Sequence, residues 1–139
     1  MMDPLAATMK IAAHGLEAQS MRLRVVSENI ANAGSTADAP GGDPYRRKTV
    51  VFDSVLDRAS GAEMVTIRNV GVDRSDFREL YSPGHPAADE EGILRMPNVE
   101  PLIEMSDMRE ASRSYQANLN VIEQARTMLM STVDLLRRA

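Results

Sequence analysis

Two long apolar stripes at helical spacing stand at opposite ends of this 139-residue chain. Alternate steps of four and three from Leu5 give Leu5, Met9, Ala12, Leu16, Gln19, Leu23, Val26 and Ile30, with only Gln19 polar. Such a seam, sustained over nearly four heptads, requires a partner helix. Near the other terminus, Met105, Met108, Ser112, Tyr115, Leu119, Ile122, Arg126, Leu129, Val133 and Leu136 repeat the pattern, broken by Ser112 and Arg126. Asp3 is a suitable cap and Pro4 a suitable first residue for the leading helix. Gly34 is its expected stop, and Pro97 and Pro101 place the start of the second helix close to Pro101. Each helix should run roughly 45–50 Å. A hairpin of that length leaves its outer sides open, so the stripes are expected to pack against other chains as well as each other.

The middle has a different character. Gly34 to Pro44 is a loop of small and polar residues, whereas Tyr45–Phe52 and Met64–Val72 carry the β-branched residues of short strands. Ile93–Met96 suits one more, and Gly61, Gly71, Gly92 and the Ser82-Pro83-Gly84-His85-Pro86 segment punctuate the region as turns. The expected architecture is α+β, with terminal helices paired as in a coiled coil around a small β-rich segment. The divisions fall at 1–34, 35–100 and 101–139. Aromatic residues make up only 4% of the chain and tryptophan is absent, so a deep aromatic core is excluded and the core must be aliphatic.

Charge and composition exclude several functions. Acidic and basic residues cancel in 1–33 and again in 104–139, so the net charge of −4 lies in the middle. No basic face of a nucleic-acid binder is visible, and no apolar run approaches the ~20 residues of a membrane span. The first residues lack the basic-then-apolar layout of a cleavable signal. Cysteine is absent, which excludes thiol catalysis and Cys-ligated metals. His14 has Ala18, not a second ligand, one helical turn on. His85, between Gly84 and Pro86, reads as part of a turn, and Asp89-Glu90-Glu91 as a solvated run. Gly41-Gly42 lacks the Gly-Lys-Ser/Thr ending of a phosphate loop. The one basic cluster, Arg46-Arg47-Lys48, is short and suits a protein interface. No catalytic constellation and no cofactor site emerges.

Ser27-Glu28-Asn29-Ile30-Ala31-Asn32-Ala33 resembles the Asn-Ile-Ala-Asn-Ala motif shared by axial proteins of the bacterial flagellum. Gly41 to Lys48 with Val51-Phe52, then Tyr81 to Asp89, Gly92 and Met96 to Val99, resemble two signature segments of the proximal-rod type of flagellar basal-body rod protein. Glu104-Met105, Asp107-Met108 and Ala111 to Asn118 are similar to the C-terminal motif of the wider family. Gly34-Ser35, Glu100 and Gln116 depart from the usual pattern. The resemblance implies a structural drive-shaft subunit in the basal body, in the rod that crosses the periplasm. It would be exported by the flagellar type III apparatus without a cleaved signal peptide, and would fold as it assembles. Implied partners are copies of itself, other rod proteins, the adaptor between rod and membrane ring, and the export apparatus, with no nucleic acid and no membrane span.

The expected assembly interface combines the seams with this motif: Leu5, Met9, Leu16, Leu23, Val26, Asn29, Ile30, Asn32, Tyr45, Arg46, Arg47, Met105, Met108, Tyr115, Asn118, Leu119, Ile122, Leu129, Val133 and Leu136. Asn29 and Asn32 lie on one helical face. Their amides either end the helix or bond a neighbouring helix and fix its register. The rival reading from the same stripes is a cytoplasmic helical adaptor or export chaperone.

Overall fold

The structure, a computed structural model, describes residues 4–138; Asp3, the expected cap, lies outside them. Helix α1 (Pro4–Asn32) leads through a loop into strands β1 (Lys48–Asp57) and β2 (Ala62–Val72), then β3 (Arg78–Tyr81), β4 (Ile93–Met96) and helix α2 (Pro101–Arg138). The chain is therefore α+β, and both helices open on the prolines that the sequence marks. The end of α1 differs from expectation, because Gly34 does not take a positive φ. Instead the Ser35 amide and hydroxyl both donate to the Asn32 carbonyl, at 3.1 and 2.9 Å, and the Asn32 side-chain amide donates back to Glu28. The carbonyls left over at the helix end are satisfied by side chains and a tight turn.

The helices run antiparallel, with Asn29 of α1 at the level of Glu104 of α2 and Gly15 at the level of Asn118. Their contact is built on small residues. Ala12, Gly15, Ala18, Val25, Val26 and Asn29 are buried on α1, and Glu104, Ala111 and Ala125 on α2. On α2 these buried positions, with half-buried Met108, Tyr115, Asn118, Ile122 and Leu129, repeat in steps of four and three. The expected stripe shares Met108, Tyr115, Ile122 and Leu129 with this one. Met105, Ser112, Leu119 and Arg126 of the expected stripe are displaced by one residue, because tracing the large apolar side chains passes over Glu104, Ala111, Asn118 and Ala125, while Val133 and Leu136 are exposed. A Cβ added to Gly15 would sit 2.7–2.9 Å from the Asn118 amide, so Gly15 is what lets the helices approach.

The middle is two separate antiparallel ladders, β1–β2 and β3–β4. Strands β1 and β2 pair from Lys48↔Val72 to Asp57↔Ala62, with a bulge at Val51/Phe52. Their turn closes through Ser60 on the Asp57 carboxylate and through Gly61, whose φ of 68° suits glycine. This hairpin lies along α1, burying Met64, with Lys10 and Asp57 paired at 3.0 Å near its tip. Strand β3 is absent from the sequence reading. Its four residues, Arg-Glu-Leu-Tyr, are all exposed and carry no alternation, and only pairing with β4 makes them a strand. The loop between β3 and β4 turns at His85, whose Nδ1 accepts from the Ala87 amide, and at Asp89, whose carboxylate accepts from the Glu91 and Ile93 amides. The Gly41 amide donates to the Ala87 carbonyl, so the Gly-Gly and Gly-His-Pro segments dock on one another.

Candidate assembly site: a buried polar clasp and a bare helix face

Where the end of α1, the start of β1 and the start of α2 converge, the chain buries polar side chains instead of apolar ones. Asn29 and Glu104 are both 0% exposed. The Asn29 amide donates to the Lys48 carbonyl at 2.8 Å and to Glu104 Oε2 at 3.0 Å, while its oxygen accepts from the Lys48 amide at 2.9 Å and the Tyr45 hydroxyl at 2.8 Å. Its side chain thus holds Lys48 as a neighbouring strand would, through both main-chain groups, and all four of its bonding positions are used.

Arg47 completes the group. Its Nε donates to Glu104 Oε1, its other nitrogens lie 3.7 Å from Asp73 and 3.8 Å from Asp107, and its backbone amide donates to Asn98 at 2.8 Å. Lys48 pairs with Glu28, and Arg22 reaches Asp107 and Glu110 at 3.3 and 3.6 Å. A buried carboxylate is tolerable only with its charge matched and its lone pairs filled, and the guanidinium and the amide do both. Burial, and then the negative charges of Glu28 and Glu104, push the Tyr45 hydroxyl up to about 12. The Ser75 amide and hydroxyl, and then Arg47, hold the Asp73 carboxyl below its ordinary value. Arg46 stacks over Phe77 at 4.1 Å and donates to the Ser75 carbonyl at 3.0 Å.

This arrangement is mechanical in character. The Asn29 amide and the Glu104 carboxylate spend their hydrogen bonds on one another, on Arg47, on Tyr45 and on the Lys48 main chain, and so tie three segments of the chain together. It also relocates several expected interface residues. Asn29, Tyr45, Arg46 and Arg47 spend their polar groups within the chain. Asn29 does bond a neighbouring helix, through Glu104, but that helix is α2 of its own chain. Asn32 serves the helix end. Val26 is buried, Leu5, Met9, Leu16, Leu23 and Ile30 are half-buried on α1, and Met108, Tyr115, Asn118, Leu119, Ile122 and Leu129 are half-buried on α2. Met105, Val133 and Leu136 are exposed. Nothing in the sequence marks Glu104, Asp107, Glu28 and Asp73 as the partners of these residues. A glutamate in the first turn of a helix is ordinarily explained by the helix dipole, and nothing local marks its bond to a residue 75 positions away.

The second feature is surface. The chain exposes 9571 Å², against about 7,100 Å² for a compact monomer of its mass. Much of the apolar part lies on α2 outside its contact with α1: Leu102, Ile103, Met105, Val121, Met128, Met130, Val133, Leu135 and Leu136 are all exposed, Leu102 by 76% and Leu136 by 74%. Among the described residues no strand packs on α2, and no helix is long and apolar enough to cross a membrane.

Comparison with known proteins agrees with this picture. The family model described as the C-terminal region of the flagellar basal body rod FlgEFG proteins matches residues 90–135, which hold β4, Glu104 and most of α2. The flagellar basal-body rod protein FlgC of Agrobacterium fabrum is 64% identical over 136 residues, covering 98% of both chains. The chain belongs to the FlgC family of flagellar basal-body rod proteins. FlgC of Salmonella typhimurium is 42% identical over 127 residues, covering 90% of this chain and 92% of its own. FlgC of Bacillus subtilis is 36% identical over 143 residues, covering 92% and 95%. Membership makes this chain a structural protein of the flagellar basal-body rod and gives the exposed face of α2 its context.

Proposed function

We propose that this chain is a proximal-rod subunit of the flagellar drive shaft and not an enzyme, passed outward by the flagellar type III apparatus and built into the part of the rod that crosses the periplasm. Its partners are copies of itself, other rod proteins and the adaptor between rod and membrane ring. The observation that carries this reading is the uncovered apolar side of α2. Burying such a face against neighbouring subunits releases roughly 25 cal/mol per Å² of apolar surface, which is the driving force for association that a chain with excess surface possesses. Within the assembly interface, Met105, Val133 and Leu136 are the expected residues that reach other subunits directly. The half-buried Leu5, Met9, Leu16, Leu23 and Ile30 contribute from the flank of α1. The clasp serves the interface indirectly, by joining the base of the hairpin to the start of α2. Folding and assembly are linked: the helix pair forms within one chain, and neighbouring chains cover what it leaves open.

The test uses a strain whose own copy is replaced by a chain carrying a photo-crosslinking residue at Leu102. Purified basal bodies should contain the chain, with crosslinks to rod subunits. A chain that stays in the cytoplasm, crosslinked to soluble proteins only, would overturn the reading in favour of an adaptor.

A further inference from the structure

The attachment of the β1–β2 hairpin is unlike the rest of the fold. It touches the helix pair through α1 and leaves α2 bare. Its one buried side chain is Met64. Near the tip it is held by the partly exposed Lys10–Asp57 pair, and at its base by the clasp. Two open grooves interrupt this contact. One, of about 410 Å³, opens at the clasp itself, where Asn29, Arg47 and Glu104 line it together with Val26 and Phe52; the other, of about 220 Å³, lies farther along, between His14, Met21 and Ile67. The hairpin is thus incompletely packed both beside the clasp and at mid-length. The only ionic link from α2 to this part of the fold, among the described residues, is Arg47 on Glu104 and Asp107.

We propose that the Arg47–Glu104 pair of the clasp is a releasable lock and the hairpin a separately movable arm. With Arg47 on Glu104, the arm is held at a fixed angle along α1. With that pair broken, the arm swings about the Asn29–Lys48 bonds at its base while the helix pair stays closed, because the close contact at Gly15, Ala111 and Ala125 does not involve the hairpin base. The device lets one chain keep an invariant helical shaft while presenting its hairpin to neighbours at more than one angle. The inference concerns the isolated chain and stands whether or not the rod placement above is correct.

Spin labels test it directly, since the chain has no native cysteine. One pair, Ser54→Cys with Ala117→Cys, measures hairpin to α2; a second, Ser20→Cys with Ala117→Cys, measures α1 to α2. Electron–electron distance distributions are recorded in the full chain, in Arg47→Met, and in Arg47→Met/Glu104→Met. The double variant removes both charges together and so leaves no unpaired buried ion. In the unaltered clasp both distributions should be single and narrow. In the double variant the hairpin distribution should broaden or gain a second, longer component while the helix distribution keeps its position and width. A hairpin distance that does not change when the Arg47–Glu104 pair is removed would overturn the proposal. So would broadening of both distances together, which would make the clasp part of one indivisible core. If Arg47→Met alone does not fold, the double variant still decides between these outcomes.

Discussion

Helices α1 and α2 are both long and both apolar-striped, yet they are covered to different extents. Helix α1 lies between α2 on one side and the β1–β2 hairpin on the other, and its buried residues face both. Helix α2 meets only α1 and leaves nine large apolar side chains in water among the described residues. The difference shows that a stripe's apolar content does not determine what covers it. On α1 the stripe is used inside the chain. On α2 it is divided: the positions from Glu104 to Leu129 close on α1, and large apolar side chains outside that contact stay exposed. Substitutions on the inner contacts should therefore cost stability, and substitutions on the outer side of α2 should cost assembly alone.

The sharpest way to break that distinction is Asn29→Leu, which strands the Lys48 main-chain amide and carbonyl, the Tyr45 hydroxyl and one oxygen of Glu104. Each buried unsatisfied group costs about 1–3 kcal/mol, so urea unfolding should show a loss of at least about 3 kcal/mol, or no folded state. A value under about 1 kcal/mol would show that water reaches the clasp.

Gly15→Val comes next. Its side chain would collide with Asn118, and overpacking of this kind costs about 1–3 kcal/mol. Asn118→Ala in the same chain should recover much of the loss, and failure to do so would place the strain elsewhere.

A smaller, pH-confined effect is expected at Tyr45. Its hydroxyl ionises near pH 10 in an unfolded chain and at about 12 in the fold. Its contribution is complete below pH 10 and is lost as pH rises from 10 towards 12. Thermal melts of Tyr45→Phe should be lower than the parent's at neutral pH, with the gap narrowing across that alkaline window. Asp73 behaves in the opposite sense: its lowered carboxyl stabilises the fold above the ordinary Asp range, and the contribution is lost as pH falls through its folded value.

The smallest effect on the fold should come from Leu102→Asp, at a position 76% exposed. Unfolding should shift by no more than about 0.5 kcal/mol, while recovery of the chain in purified basal bodies drops sharply. Normal incorporation would mean that this end of α2 is not covered in the rod.

The parts of this fold that were readable in the sequence are those announced by local chemistry. Pro4 and Pro101 mark the helix starts, and the β-branched runs mark β1 and β2. The offset in the seams has a physical reason: Leu16, Leu23 and Met105 attract attention as the large apolar residues. Close antiparallel packing instead selects Gly15, Ala111 and Ala125, with the larger side chains on the flanks. The clasp was half readable. The Asn-Ile-Ala-Asn-Ala motif pointed to Asn29, but its partners come from positions 45, 48 and 104, and a bond of such separation leaves no periodic trace. Ion pairing of Arg47 across the fold was hidden for the same reason, and the basic triplet suited an interface with another protein.

The grip of Asn29 on Lys48 has a consequence for how this region tolerates substitution. Asn29 bonds the amide and carbonyl of residue 48 and leaves its side chain to Glu28 at the edge. It therefore recognises that a residue is present there and not which one. Position 48 is free to vary as long as it keeps an N–H, which only proline lacks. Position 29 has no such freedom: aspartate has no donor, glutamine is longer by one carbon, and an apolar residue has neither donor nor acceptor. A single asparagine thus carries the specificity for a contact whose other half is chemically generic.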